Sequence, residues 1–460
     1  MDGPADQTGA ATRDELLAWV GQTVGGRVTH WQEIAGGNRC RSWAVDVAPP
    51  GGDAVPLYLR YQPPRPPSAE PYTVWREAEF YRVLAGSAVP APRMLAVHPT
   101  HQAILTERVA GRADYRRIAD PAQRATIARE FVAALATLHQ LPLEGRDLPG
   151  LTPGASIAAC LRGELAIWRA MYAEAGRADA LIDLALAWLD GTVPNPPGQP
   201  VLVHGDAGPG NFLFDAGHLT ALLDWELAHA GDPMEDLAWF SMRGVMEPVP
   251  DFAGLVAEYG RLMGAPADLA RIRYHRVFVS TRVVIIRHRN VTGQPGNSIV
   301  SRALNRRLLV AALADATDIA LASEAPTVAP PTERTPLYDG VIDDLRHEIA
   351  GGSADTRVVA AAKNAAKVVK YLRDVDRLGG LVAARDRQAL ADLLGAPPAD
   401  PQGGQAALLQ AMRAGRVPFA DVLRFFAGST AREAELAASA SGGLAHRGFP
   451  ELTHEDASHG

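Results

Sequence analysis

Residues 201–226, VLVHGDAGPGNFLFDAGHLTALLDWE, constrain this chain more than any other stretch. An apolar run, VLV, enters a loop carrying His204, Gly205, Asp206 and, after an Ala-Gly-Pro-Gly spacer, Asn211. NFLF and LTALLDWE then flank Asp215-Ala216-Gly217, the composition of a hairpin turn. A hairpin returns its second strand beside its first, so Asp224 comes back next to Asn211. The loop thus gathers two carboxylates and an amide at the end of a buried strand, and such oxygens suit a hard cation like Mg2+. Glu226 is expected on the same strand face as Asp224, near a second ion or in a salt bridge.

The rest of the chain bounds the setting. Its 460 residues exceed one ordinary core, so two or three domains are expected. A net charge of -7 gives no reason to expect nucleic-acid binding. Two cysteines, Cys40 and Cys160, exclude a disulfide framework and a Cys-based metal site, and suit a reducing cytosol. The first residues lack a secretory pattern. The best apolar run, Val277 to Ile286, is broken by Arg282, so no membrane span is expected. The expected compartment is the cytoplasm.

Phosphoryl transfer asks little covalent help of a protein. It needs an acceptor hydroxyl held in line, a carboxylate near its proton and a metal on the phosphates. Asp206 fits the carboxylate, and Asn211 and Asp224 fit the metal. The protein-kinase catalytic loop has an Asp and an Asn at the same spacing, with His204 and Gly205 standing where it has His and Arg. Asp after Gly is ordinarily a turn residue; the buried strand, the Asn, the hairpin and the second Asp together are far more specific.

Residues 201–240, ending in AHAGDPMEDLAWF, resemble the aminoglycoside phosphotransferase-like family of kinases. Within it they most resemble the variants related to the phosphotransferase domain of acyl-CoA dehydrogenase fusion proteins. The resemblance covers roughly residues 20–320. It implies an α+β, protein-kinase-like two-lobed fold: a small antiparallel-sheet N-lobe, then a mostly helical C-lobe. It also implies ATP, Mg2+ and transfer to a hydroxyl of a small molecule. By motif, Asp206 is the base or hydroxyl-orienting residue, and Asn211 and Asp224 hold the metal. His204 supports the site, Asp236 braces the catalytic loop, and His229 and Asp232 shape the turn before it. His139, in LATLHQL, is expected as a structural hydrogen-bonding residue.

The nucleotide side is read from the first 110 residues. Gly36-Gly37-Asn38 lies between two strand-like segments, and glycine lets backbone N–H groups approach phosphates. LYLRY at 57–61 offers Arg60 where protein kinases carry Lys; Arg stays charged and binds phosphate bidentately. Its partner is Glu77, with Glu79 as competitor; the family motif favours Glu77. Backbone near Glu107 and Val109 is expected to meet the adenine edge. His30, His98 and His101 show no metal spacing.

Residues 271–307 hold nine arginines and no acidic residue. That favours an anionic or neutral acceptor, such as a hydroxyacyl-CoA, with Arg282 and Arg289 as acceptor-binding candidates. Pairing with acidic residues elsewhere is the competing explanation. Antibiotic, sugar and amino-alcohol kinases are the alternatives within the class; an inactive nucleotide-binding scaffold and a metal-dependent hydrolase lie outside it. The expected organisation is 1–110 nucleotide lobe, 111–322 helical catalytic lobe, 323–337 Pro-rich linker, 338–437 all-α accessory domain and 438–460 disordered tail. The accessory domain resembles a helical domain appended to such phosphotransferases; homodimerisation is one role open to it.

Overall fold

A computed structural model describes residues 4–34, 39–146, 148–289, 295–397 and 401–454. The chain opens with α1 (Pro4–Val24), β1 (Arg27–Ile34), β2 (Arg41–Ala48), β3 (Val55–Tyr61), α2 (Val74–Leu84), β4 (Met94–Val97) and β5 (Ala103–Glu107). Then come α3 (Pro121–His139), α4 (Ile157–Ala173), α5 (Ala180–Gly191), β6 (Val201–Val203), β7 (Phe212–Asp215), β8 (His218–Leu222) and β9 (His229–Gly231). The remainder is helical: α6 (Met234–Met246), α7 (Phe252–Met263), α8 (Leu269–Arg289), α9 (Pro295–Thr317), α10 (Thr335–Asp343), α11 (Thr356–Leu394), α12 (Pro401–Arg413) and α13 (Phe419–Ser441). The expected α+β order, sheet first and helices after, is present, and further helices follow α9.

Two compact units divide the chain, and neither is continuous in sequence. The first runs to Cys160 and adds Pro196–Ala267 and the segment from Leu452; the second is Leu161–Asn195 with Asp268–Glu451.

In the first unit β1 to β5 form an antiparallel sheet in the order β1-β2-β3-β5-β4. Side chains on a strand alternate between faces. Leu57, Leu59 and Tyr61 therefore point together, joining Trp43, Val45, Val47 and, from α1, Leu16 and Val20 in one core. Each such aliphatic side chain contributes about 1.5–3 kcal/mol on burial. The same alternation sends Arg60 to the opposite face. Thr73 caps α2, its hydroxyl accepting from the Arg76 amide at 3.1 Å. That start sets the helix phase and buries Glu77 while leaving Glu79 half-buried.

β7 and β8 form the expected hairpin, with Asp215 opposite His218 and both turn residues at positive φ, Ala216 at 47° and Gly217 at 88°. Two strands were not expected: four-residue β4, and β9, which pairs with β6. A further difference concerns Glu226. β8 ends at Leu222, Asp224 adopts a left-handed conformation, and Glu226 lies in a 3-10 turn, Trp225–Leu227, rather than on a strand.

In the second unit α9 packs against α8, α11 and α13. Residues 319–332 have no regular structure, yet Thr327 is buried and its amide donates to Glu435 of α13. α13 continues beyond the expected boundary at 437 to Ser441, and a 3-10 turn occupies Gly442–His446.

Candidate active site

The candidate site is built within the first unit. β6 delivers His204-Gly205-Asp206 from a buried strand. Asp236, fully buried in the first turn of α6, accepts from the amides of His204 at 2.8 Å and Gly205 at 3.0 Å. His139, at the end of α3, contacts the same carboxylate through Nε2 at 3.0 Å and the Tyr259 hydroxyl through Nδ1 at 2.7 Å. Two buried backbone donors and a ring nitrogen are thus satisfied by one carboxylate. Gly205 has φ +80°, and a Cβ there would lie 2.2 Å from the Leu227 carbonyl oxygen, so no larger residue fits.

His204 fastens the loop to the hairpin. Its Nδ1 accepts from the Asp206 amide at 3.3 Å and its Nε2–H donates to the Leu223 carbonyl at 2.9 Å. The amide of Leu223 donates to the Asn211 carbonyl at 2.8 Å, which brings the backbone before Asp224 against Asn211. The Asn211 side-chain amide donates to the Asp206 backbone oxygen and to its Oδ2, both at 2.9 Å. That commits the nitrogen and leaves the amide oxygen as the donor atom for a cation. His229 bonds the Leu227 carbonyl and reaches Glu235, while Asp232 accepts from the Met234 amide.

Arg60 stands at the centre of a charge network. It meets Glu77 at 3.1 Å, Asp224 at 2.9 Å and Glu226 at 2.7 Å. Geometry therefore favours Glu77 over Glu79, which pairs with Arg82. Burial pushes Asp224 up, but Arg60, then Arg243, outweigh it and hold the carboxyl below the usual carboxylate range. Glu226 is held above that range, by burial and then by Asp224. Asn211 and Asp224 thus offer amide and carboxylate oxygens, the donor set that Mg2+ takes alongside phosphates and water.

Sequence reasoning missed three arginines here. Arg39 bridges Glu70 at 2.7 Å and Glu226 at 3.3 Å, and Arg76 donates to the Glu226 carbonyl at 3.4 Å. Arg243 forks onto Asp206, Nε to Oδ1 at 2.8 Å and a terminal nitrogen to Oδ2. A signal existed for Arg243: it lies two helical turns after Asp236, on the same face of α6.

Other expected residues fall elsewhere. Gly36, Gly37 and Asn38 lie outside the described residues. The Glu107 amide is spent on the Arg93 carbonyl at 2.9 Å, and Val109 follows in a stretch without regular structure. In the second unit Arg282 is 1% exposed, 3.6 Å from Glu164, and its guanidinium lies 4.0 Å from the Phe278 ring centre. Arg289 pairs with Glu174 at 2.9 Å. Arg273, Arg302 and Arg306 likewise find Asp315, Glu433 and Asp179. These five arginines of the basic run, both acceptor candidates among them, are thus paired with carboxylates of their own unit.

His98 and His101, which show no metal spacing in sequence, converge with Glu15. The His98 Nδ1 accepts from the amides of Thr100 at 3.2 Å and His101 at 3.0 Å. Its proton therefore sits on Nε2, the nitrogen a metal would need. The cluster reads as structural.

The model of the phosphotransferase enzyme family matches residues 30–275, more than half of the chain. This chain belongs to the phosphotransferase enzyme family. The family region takes in β6 to β9, the hairpin, Asp236 and most of the sheet. Among curated proteins, acyl-CoA dehydrogenase family member 11 of Homo sapiens is 30% identical over 196 residues, covering 40% of this chain and 25% of that protein. The Gallus gallus protein of the same name is 27% identical over 256 residues, covering 49% of this chain and 32% of its own length. The chain thus spans a quarter to a third of the curated relatives it matches. Among solved structures, an aminoglycoside phosphotransferase in complex with ADP and hygromycin B is 16% identical, with a TM-score of 0.46, covering 63% of this chain and 94% of that one. A macrolide 2'-phosphotransferase from Brachybacterium faecium is 21% identical, with a TM-score of 0.43, covering 60% and 91%. As a member of that family the chain is an enzyme, a phosphotransferase, with a five-stranded antiparallel sheet first and helices after. Among the described residues no helix is long and apolar enough to cross a membrane.

Proposed function

We propose that this phosphotransferase moves the γ-phosphoryl group of ATP to a hydroxyl of a small molecule in the cytoplasm. One observation carries the reading: Asp206 and Asn211 touch at 2.9 Å, while Asp224, the next acid along the chain beyond the hairpin, is held 2.9 Å from Arg60. The Leu223 amide, on the Asn211 carbonyl at 2.8 Å, links the two pairs, which supports a single site with a carboxylate for the acceptor, oxygen donors for a metal and a cation for phosphate.

The chemistry follows from these positions. Asp206 accepts a hydrogen bond from the acceptor hydroxyl and orients its oxygen in line with the phosphorus. Asn211 Oδ1 and Asp224 are the groups that would hold Mg2+, which on ATP offsets the charge of the phosphates. Arg60 reaches the phosphates while Glu77 fixes its direction. Glycines 36 and 37 with Asn38 would cover the phosphates, and backbone at Glu107 and Val109 would border the base. Asp236 and His204 hold the loop for this work.

The acceptor is a small-molecule alcohol. Hydroxyacyl-CoA thioesters come first for testing, because the curated relatives carry acyl-CoA chemistry in their names. The internal pairing of Arg282 and Arg289 takes away the argument from basic charge, so antibiotics, sugars and amino alcohols belong in the same screen.

The test is acceptor-stimulated ADP release from Mg·ATP across that screen, with Asp206→Ala beside the wild type. The substitution should cut the release about 10²–10³-fold while ATP binding persists. Full activity in Asp206→Ala would remove Asp206 from the reaction. ATP binding without transfer to any acceptor would point to a scaffold, and phosphate release from other esters without ATP to a hydrolase.

A further inference from the structure

The α6 helix underlies the catalytic loop twice. Asp236 in its first turn holds the backbone of His204 and Gly205; two turns later Arg243 rises beneath Asp206 and Pro209. Arg243 Nε donates to Asp206 Oδ1 at 2.8 Å, one terminal nitrogen donates to Oδ2, and the other donates to the Pro209 carbonyl at 3.1 Å. Gly208, at φ +140°, lies on the arginine stem: a Cβ there would sit 2.9 Å from Arg243 Cβ. The loop backbone and the guanidinium are moulded to each other.

The lone pairs of Asp206 can be counted. A carboxylate offers about four acceptor sites, two on each oxygen. Arg243 takes one on Oδ1 and one on Oδ2, and Asn211 takes the second on Oδ2 at 2.9 Å. Among the described residues one site remains, on Oδ1. Asp206 keeps 19% of its side-chain surface exposed, so the carboxylate is reachable from solvent. Burial opposes the charge on Arg243, but Asp206 beside it outweighs that, and the guanidinium stays charged.

Resting on the kinase reading above, we propose that Arg243 is a positioning residue that fixes the plane of the Asp206 carboxylate and reserves Oδ1 for the acceptor hydroxyl. An unheld carboxylate rotates and offers either oxygen. A bidentate fork removes that freedom, because guanidinium and carboxylate share one plane. Orientation of this kind is the main service a protein gives phosphoryl transfer. The opposite role, a latch that hides Asp206 until an acceptor displaces it, makes the opposite prediction.

The experiment compares wild type with Arg243→Gln, Arg243→Lys and Arg243→Ala. ADP release from Mg·ATP is followed with water as the acceptor, and ATP binding is followed by calorimetry. Positioning predicts that Arg243→Gln slows release about 10–100-fold with ATP affinity within about twofold. Arg243→Lys should fall between, since it keeps the charge without the fork. Added guanidinium ion should restore part of the rate to Arg243→Ala and none to Arg243→Gln, a response that loss of packing alone would not give. Faster release in any variant would establish the latch and overturn the proposal, as would an unchanged rate or an absence of rescue. Amide hydrogen exchange over 204–211 reads the clamp without turnover: Arg243→Gln should speed it at an unchanged melting temperature, and unchanged exchange would overturn the proposal. If the wild type fails to bind Mg·ATP, the kinase reading fails, and the exchange result still decides whether Arg243 holds the loop.

Discussion

Arg60 balances three carboxylates, Glu77, Asp224 and Glu226, on the face of β3 away from the core. Its planar fork suits this crowding better than a lysine ammonium, which offers a single point of charge. The same environment governs Cys40 nearby. Burial pushes the Cys40 thiol up to about 11; Arg60 draws it down, and Glu226 and Glu77 push it up again. An ordinary thiol titrates near 8.5, so at pH 8 Cys40 should hold roughly 200-fold less thiolate. Alkylation by iodoacetamide should be slower by about that factor and keep accelerating past pH 10. A rate at pH 8 matching a free peptide cysteine would contradict the packing around Arg60. At this scale the sequence was partly legible. Asp206, Asn211, Asp224 and Glu77 stand out by spacing and motif. Arg282 misleads, because its partner Glu164 lies on another helix far away in sequence and leaves no local mark.

The hairpin β7–β8 shows what an element needs from its sequence. A two-residue turn between twisted strands wants positive φ at both positions, and here the first is Ala216 at φ 47°. An L-residue with a Cβ pays about 1–2 kcal/mol for that conformation, and asparagine tolerates it better. Ala216→Asn should therefore raise stability by about 0.5–1 kcal/mol, read as a higher urea midpoint; a lower midpoint would mean the turn has another shape. The hairpin was legible from Asp215-Ala216-Gly217, and the sheet from alternation in β2 and β3. β4 and β9 were not, because four and three residues are too short to show a period. Glu226 was misplaced for a related reason: a left-handed Asp224 ends the extended chain, and nothing in DWE announces that turn.

At the scale of the whole molecule, the chain brings distant segments together. Asp206 and Arg60 belong to one compact unit, although α4 and α5 lie between their segments in sequence and that unit resumes only at Pro196. The helices after α9 pack into the other unit with α8 and α9, an arrangement that hydrophobic periodicity alone does not reveal. The family match over 30–275 covers the segments that hold the candidate site and also takes in Leu161–Asn195 of the other unit. What remains to be measured is whether that site takes its nucleotide as the geometry requires. Calorimetric titration of ATP into wild type and Asp224→Ala, with Mg2+ and with chelator, asks this directly. Wild type should bind Mg·ATP, lose most of that affinity without the metal, and bind at least about tenfold more tightly than Asp224→Ala, a difference of about 1.4 kcal/mol. Equal binding by the two proteins, or binding indifferent to Mg2+, would contradict the account.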